Sequence, residues 1–170
     1  MPEISINGLK LNGPFAALWV AASELKASTL AALYRLLTGN CVNIAYMTAG
    51  DAMSDEPALC CIDLTEVARV TALFDKDPRF RDQIRVGSDV GLLTFYPHRS
   101  SLTVLGSALQ LLGEHEICIY GMASSISALS FVVAFEQLQT AGAILSRGLQ
   151  LPDSATPIWD TIKTRQLRHR

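Results

Sequence analysis

Charge is sparse in this chain and neither sign dominates: 14 Lys and Arg face 16 Asp and Glu, for a net charge of −2 with 18% charged residues. No whole-protein field draws it to nucleic acid or to an anionic membrane surface. Long hydrophobic runs are missing too. Hydrophobic residues make up 49% of the chain, yet every apolar run breaks short of the roughly 18 residues that cross a bilayer. The opening MPEISINGLK has no signal-peptide h-region, so the expected location is cytoplasmic. Cysteine is limited to Cys41, Cys60, Cys61 and Cys118, none in a CxxC pair and all at or inside apolar segments. Reduced, buried thiols are expected rather than disulfides or zinc ligands. Enzyme signatures are also lacking: there is no GxSxG, P-loop or GxGxxG, and GEHEI, around His115, lacks the HExxH spacing that sets two His on one helical face. No catalysis, cofactor or metal is expected.

What the chain does have is enough apolar residue in 170 positions for one ordinary domain or two small ones. Laid on itself with a shift of 75 residues and no gap, it repeats. Leu30, Leu33, Tyr34 and Leu37 fall on Leu105, Ala108, Leu109 and Leu112, each set at i, i+3, i+4, i+7. CVNIAYM falls on EICIYGM, aligning Val42 with Ile117, Ile44 with Ile119 and Met47 with Met122. Two copies of one unit follow.

In the first copy, PFAALWVAAS is β-rich and residues 27–38 form a helix that ends at Gly39 and Asn40, where a left-handed cap is easily adopted. VNIAYMT and ALCCIDL are strands around the loop AGDAMSDEP. Asp63 with Glu66 reads as a capping box before a helix striped by Val67, Val70 and Phe74, which Asp77-Pro78 stops; QIRVGS is a last short strand. The second copy runs VGLLTFYP, a helix over residues 100–112, strands at 117–123 and 128–133 joined by the turn Ser124 to Ser127, and a helix at 135–148 carrying Leu138, Ala141 and Leu145. Ser124, Ser125 and Ser127 are turn formers whose hydroxyls satisfy their own backbone.

Nothing after Leu151 reads as a strand, so the second copy lacks its fourth; EISINGLKL, with Ile4, Ile6, Leu9 and Leu11, is a strand that the first copy does not need. The economical solution lets residues 3–12 close the second sheet. The expected fold is α+β: two ferredoxin-like βαββαβ units with helices on one face of antiparallel sheets, the first (13–88) inserted in the second (3–12 plus 89–151), and a tail at 152–170. The basic end of that tail, KTRQLRHR, reads as solvated.

The strand-helix-strand-strand-helix unit with VNIAYM after its first helix, and GMASSISALSFVV followed by an Ala-rich helix and GLQL, resembles the ACT domain. The likeness covers nearly all of residues 4–151 in two copies, in the interleaved order of aspartokinase regulatory regions, without a kinase domain. It implies side-by-side pairing of units, often as a homodimer, and binding of a small amino-acid effector where units meet. The implied ligand surface is the loop before each unit's first helix plus the entry of the adjoining unit's second strand. Here those positions are Ser23, Glu24, Lys26, Ala27 and Ser28 with Asn43, Ile44 and Thr48 in the first copy. In the second they are His98, Arg99 and Ser101 with Cys118 and Ile119. The family's first-turn Gly, which lets a carboxylate approach free amides, is replaced by Ser28 and Thr103, and its strand-entry Asn is kept as Asn43 but becomes Cys118 in the second copy.

Plain readings stand beside these. Asn43 is as often a local backbone partner, and the loop charges Glu24 and Lys26 as often merely solvated. The expected function is therefore a non-catalytic regulatory protein that binds an amino acid and signals to a partner such as an enzyme. The alternative is a ligand-free assembly module acting through sheet edges.

Overall fold

A computed structural model describes residues 8–21, 26–49, 57–96, 102–149 and 158–159. Strand β1 (Gly8–Val20) leads into helix α1 (Ala27–Gly39), strands β2 (Ile44–Met47) and β3 (Ala58–Asp63), helix α2 (Val67–Lys76) and strand β4 (Ile84–Tyr96). Helix α3 (Leu102–Glu114), strands β5 (Ile119–Ser124) and β6 (Leu129–Ala134), helix α4 (Leu138–Gly148) and the short strand β7 (Ile158–Trp159) follow. Two compact units result: an inserted unit, whose main segment is Pro14–Asp89, and an outer unit built from the chain up to Gly13 together with Val90–Thr161. The strand order is β2-β3-β1-β4 in the first and β1-β4-β6-β5 in the second. Numbered along each unit's own βαββαβ path, both read 2-3-1-4, the ferredoxin-like order.

Period-two alternation explains the two cores. In the inserted unit Ala16, Leu18 and Val20 of β1 pack with Ala58, Cys60 and Ile62 of β3, under Leu33 and Leu37 of α1 and Val70 and Phe74 of α2. In the outer unit Leu9 and Leu11 of β1, Leu93 and Phe95 of β4, and Leu129, Phe131 and Val133 of β6 lie under Val104, Ala108 and Leu112 of α3 and Leu138, Ala141 and Leu145 of α4. The core-facing positions of β1 are thus odd before Gly13 and even after it. Gly13 itself has φ 147°, and a Cβ there would come within 3.1 Å of the Phe135 ring and 3.2 Å of the Val90 carbonyl oxygen. Only glycine changes the strand's phase at this point without steric cost.

Several expectations are corrected. EISINGLKL and PFAALWVAAS, read as separate strands, belong over their described residues to the single strand β1; QIRVGS and VGLLTFYP likewise merge in β4. The boundary placed between residues 12 and 13 is a shift in the phase of β1, not its end. The tail supplies a strand after all: β7 pairs in parallel with β1, Lys10 opposite Ile158 and Leu11 opposite Trp159. In the outer unit that side of β1 is a sheet edge, and open backbone groups there accept a short segment whatever its side-chain pattern. Of the expected row on α3, Ala108 and Leu112 are buried and Leu105 packs against the core, but Leu109 is 38% exposed and Val104 is the buried residue in its stead.

The helix caps also differ. Asn40 sits at φ −100°, and the left-handed residue is Cys41, φ 55°, with Glu116, φ 54°, at the equivalent place 75 residues on. In both copies the next residue's amide reaches back to the helix, Val42 N to Leu37 O and Ile117 N to Leu112 O at 2.9 Å each. The preceding amides close Cys41 N to Thr38 O at 2.9 Å and Glu116 N to Gly113 O at 3.1 Å. This pair of bonds is a Schellman motif, and burial of Val42 and Ile117 with Leu37 and Leu112 secures it although neither copy has a glycine at the left-handed position. Asp63 caps as expected, but it accepts from the Thr65 amide at 2.9 Å and hydroxyl at 2.7 Å, while Glu66 pairs with Arg69. Ser125 closes the β5-β6 turn, its hydroxyl accepting from the Ala128 amide at 3.1 Å.

Two substitutions test this account by denaturant unfolding. Gly13→Ala is expected to cost about 1–3 kcal/mol, the range for a side chain forced into a disfavoured backbone region. Glu116→Gly is expected to add about 0.5–1 kcal/mol, because relief of the left-handed penalty outweighs the extra entropy of unfolded glycine.

Candidate functional site

Both expected binding surfaces begin at a helix start. Lys26 occupies the N-cap of α1 in extended conformation, and its side chain makes no capping bond because an ammonium has no acceptor to offer. The Lys26 carbonyl receives the amides of Thr29 at 2.9 Å and Leu30 at 3.1 Å. The amides of Ala27 and Ser28 therefore precede the first intrahelical bonds, at the positive end of the helix. Lys26, Ala27 and Ser28 are exposed, as are Leu102 and Thr103 at the start of α3. Ser23, Glu24, His98, Arg99 and Ser101 lie outside the described residues.

The strand entries stand elsewhere. Asn43 and Ile44 follow α1, a helix of 13 residues, so about 20 Å of helix separates them from Ala27 and Ser28 of the same unit. Asn43 is half-buried and already engaged within the chain. Ile44 packs on the inserted unit's core opposite Ile62. In the outer unit Ile119 packs on the core opposite Val133, and Cys118 beside it is exposed. Thr48, at the far end of β2, spends both its polar groups on β3: its amide donates to Leu59 O at 2.8 Å and its hydroxyl accepts from Leu59 N at 3.1 Å. Within one unit, then, the two halves of the expected surface are not brought together.

Three features escaped the reading of the sequence. The register of β2 on β3 shifts between Ile44 and Tyr46, and that of β5 on β6 shifts between Ile119 and Gly121, the same repeat position. A bulge there re-aims the residues that follow. Tyr46, opposite Cys61, is 9% exposed, and its hydroxyl has no hydrogen-bond partner among the described residues. Burial pushes its phenol up to about 12, with the Cys61 thiol adding to the effect. Met47 and Met122, one residue past each bulge, are 48% and 41% exposed on the outermost strands of their units. The repeat alignment of the two methionines was the only trace of this in the sequence.

Among the described residues no group of three or more His, Cys, Asp or Glu is placed to hold a metal ion, and no helix is long and apolar enough to cross a membrane. Burial raises both Cys60 and Cys61 from about 9 to about 12.

Two interleaved 2-3-1-4 units with the first inserted in the second define a tandem ACT fold, the architecture of aspartokinase regulatory regions. A crystal structure of aspartokinase alpha and beta subunits superposes with a TM-score of 0.75 at 12% identity, over 86% of this chain and 100% of that one. The regulatory subunit of aspartate kinase from Thermus thermophilus, ligand-free, gives 0.73 at 11% over 85% and 99%. E. coli aspartokinase III in complex with lysine and aspartate gives 0.60 at 16%, over 85% of this chain and 33% of the longer enzyme. No protein-family model and no curated protein sequence matches the chain.

The raised thiols predict a pH dependence. A thiol whose value is higher folded than unfolded contributes stability that is intact below about pH 9 and is lost as pH rises from there toward 12. Unfolding free energy is expected to be flat to about pH 8.5 and to fall by about 1 kcal/mol per buried thiol by pH 10. Cys60→Ala and Cys61→Ala should each flatten that slope; an unchanged profile in both would show that the thiols do not titrate this way.

Proposed function

We propose that this chain is a non-catalytic, cytoplasmic regulatory module that binds a small amino acid between ACT units and passes its occupancy to a partner. Superposition of 85% of this chain on 99% of a solved aspartate kinase regulatory subunit is the observation that carries this reading. The exposed first turn of α1 supports it chemically: the Ala27 and Ser28 amides at the positive helix end suit an effector carboxylate, with Ser23, Glu24 and Lys26 beside them. Asn43, Ile44 and Thr48, and in the outer unit Cys118 and Ile119 with His98, Arg99 and Ser101, complete the proposed set. About 20 Å of helix lies between the first turn and the strand entry of one unit. The effector is therefore bound by a homodimer in which units stand side by side and each lends its strand entry to its neighbour. Differential affinity for two dimer arrangements supplies the coupling, about 1–3 kcal/mol in such systems.

A second reading is a ligand-free assembly module. It is favoured by the outermost strand β5, where Tyr120 and Met122 are each 41% exposed, and by the absence of any charged residue from Ile117 to Phe135. Edges of this kind are usually guarded by charge.

A thermal-shift screen against the twenty amino acids separates the two. An effector present at about 100 Kd adds about 2.7 kcal/mol, a rise of about 5–10 °C for a chain of this size. The rise is expected to shrink on Ala27→Pro, which removes a first-turn amide at the one helical position that tolerates the ring, after a Lys26 already extended. Flat curves at millimolar ligand from a protein that still dimerises would decide for the assembly module.

A further inference from the structure

We infer that Met47 and Met122 form a duplicated oxidation site, one on the edge strand of each unit, that takes a hydroperoxide as its oxidant and makes the fold redox-sensitive. The inference goes beyond the regulatory reading and does not require an effector. Four methionines occur in the chain, and these two stand 75 residues apart at the same repeat position. Each is the residue after an equivalent bulge, on the outermost strand of its unit. Each is aligned with a core residue of the neighbouring strand, Met47 with Cys60 and Met122 with Phe131, which are 2% and 0% exposed. Yet the methionines themselves are 48% and 41% exposed.

That placement joins two properties usually found apart. A buried thioether is out of a peroxide's reach, and a fully exposed one is oxidised without structural consequence. Here the side chain is about half exposed while the residue across the strand from it belongs to a core. A sulfur lone pair attacks one oxygen of hydrogen peroxide; the S–O bond forms as the O–O bond breaks, and the departing hydroxide takes the proton from the oxygen now on sulfur, leaving sulfoxide and water. Sulfur is oxidised by two electrons and the peroxide reduced by two. The sulfoxide is polar and demands water, so each edge strand is loosened at its core margin, and a sulfoxide reductase with a dithiol restores it. Competition from thiols is confined to Cys118, exposed, and Cys41, half-buried, since Cys60 and Cys61 are buried and held protonated.

The test treats the full chain with hydrogen peroxide at a dose that fully oxidises N-acetylmethionine amide. Peptide mass spectrometry locates the added oxygen, and thermal unfolding follows the midpoint. Oxygen is expected on Met47 and Met122, with a midpoint fall of about 2–4 °C. Methionine sulfoxide reductases with dithiothreitol restore the midpoint, whereas dithiothreitol alone does not. The near-isosteric variants Met47→Leu and Met122→Leu each remove part of the fall and together remove it all. Methionines left unoxidised at that dose, full oxidation with an unmoved midpoint, or a fall that persists in the double variant would each overturn the inference.

Discussion

One strand serving two cores is the constraint on which the architecture rests. Leu9 and Leu11 of β1 point into the outer unit's core, and Ala16, Leu18 and Val20 of the same strand into that of the inserted unit. A strand presents alternate residues to one face, so odd and even positions do not both face a helix layer unless the phase shifts. Gly13, at φ 147° with the Phe135 ring and the Val90 carbonyl beside it, is where β1 makes that shift. Strand β4 changes phase as well, from Ile84 and Val86 to Leu93 and Phe95. Insertion of one ferredoxin-like unit in another follows from these two strands, because each contributes residues to both sheets.

Duplication is legible in the geometry well beyond the side chains that first disclosed it. A left-handed cap recurs at Cys41 and Glu116, a bulge at Ile44 to Tyr46 and Ile119 to Gly121, and a half-exposed methionine at 47 and 122. Residue identity at these places has drifted, but the backbone has not. Where the copies differ, the difference has a physical meaning. Tyr46 fills a buried position with an unpartnered hydroxyl where the outer unit has Gly121, and the outer unit carries its tyrosine one residue earlier, as the exposed Tyr120. The two units thus offer different surfaces at one place in the fold, and a ligand or partner need not treat them alike.

Reactivity is partitioned by burial in the same way. Cys60 and Cys61 are adjacent on β3 and face opposite sides of the sheet, yet both are buried and both thiols are held protonated. The soft groups open to reagents among the described residues are Cys118, part of Cys41 and the two edge methionines. Reactive side chains among the described residues are therefore found at strand edges and helix ends.

The sequence alone determined the repeat, the helix and strand types, the insertion of one unit in the other and most of the core, because amphipathic periodicity is a local property that survives in composition. Leu33, Leu37, Val70, Phe74, Leu138, Ala141 and Leu145 were all readable in this way. Of the candidate site it could supply residue types and the helix start, but not which groups are already occupied, such as Asn43 and Thr48. Tertiary structure alone decided the phase shift at Gly13, the strand β7, the caps at Cys41 and Glu116 and the exposure of Leu109. Each of these depends on what packs from elsewhere in the chain: a ring over a glycine, an open edge beside a tail, a buried Val42 or Ile117 that makes a left-handed residue tolerable. No window of neighbouring residues contains that information.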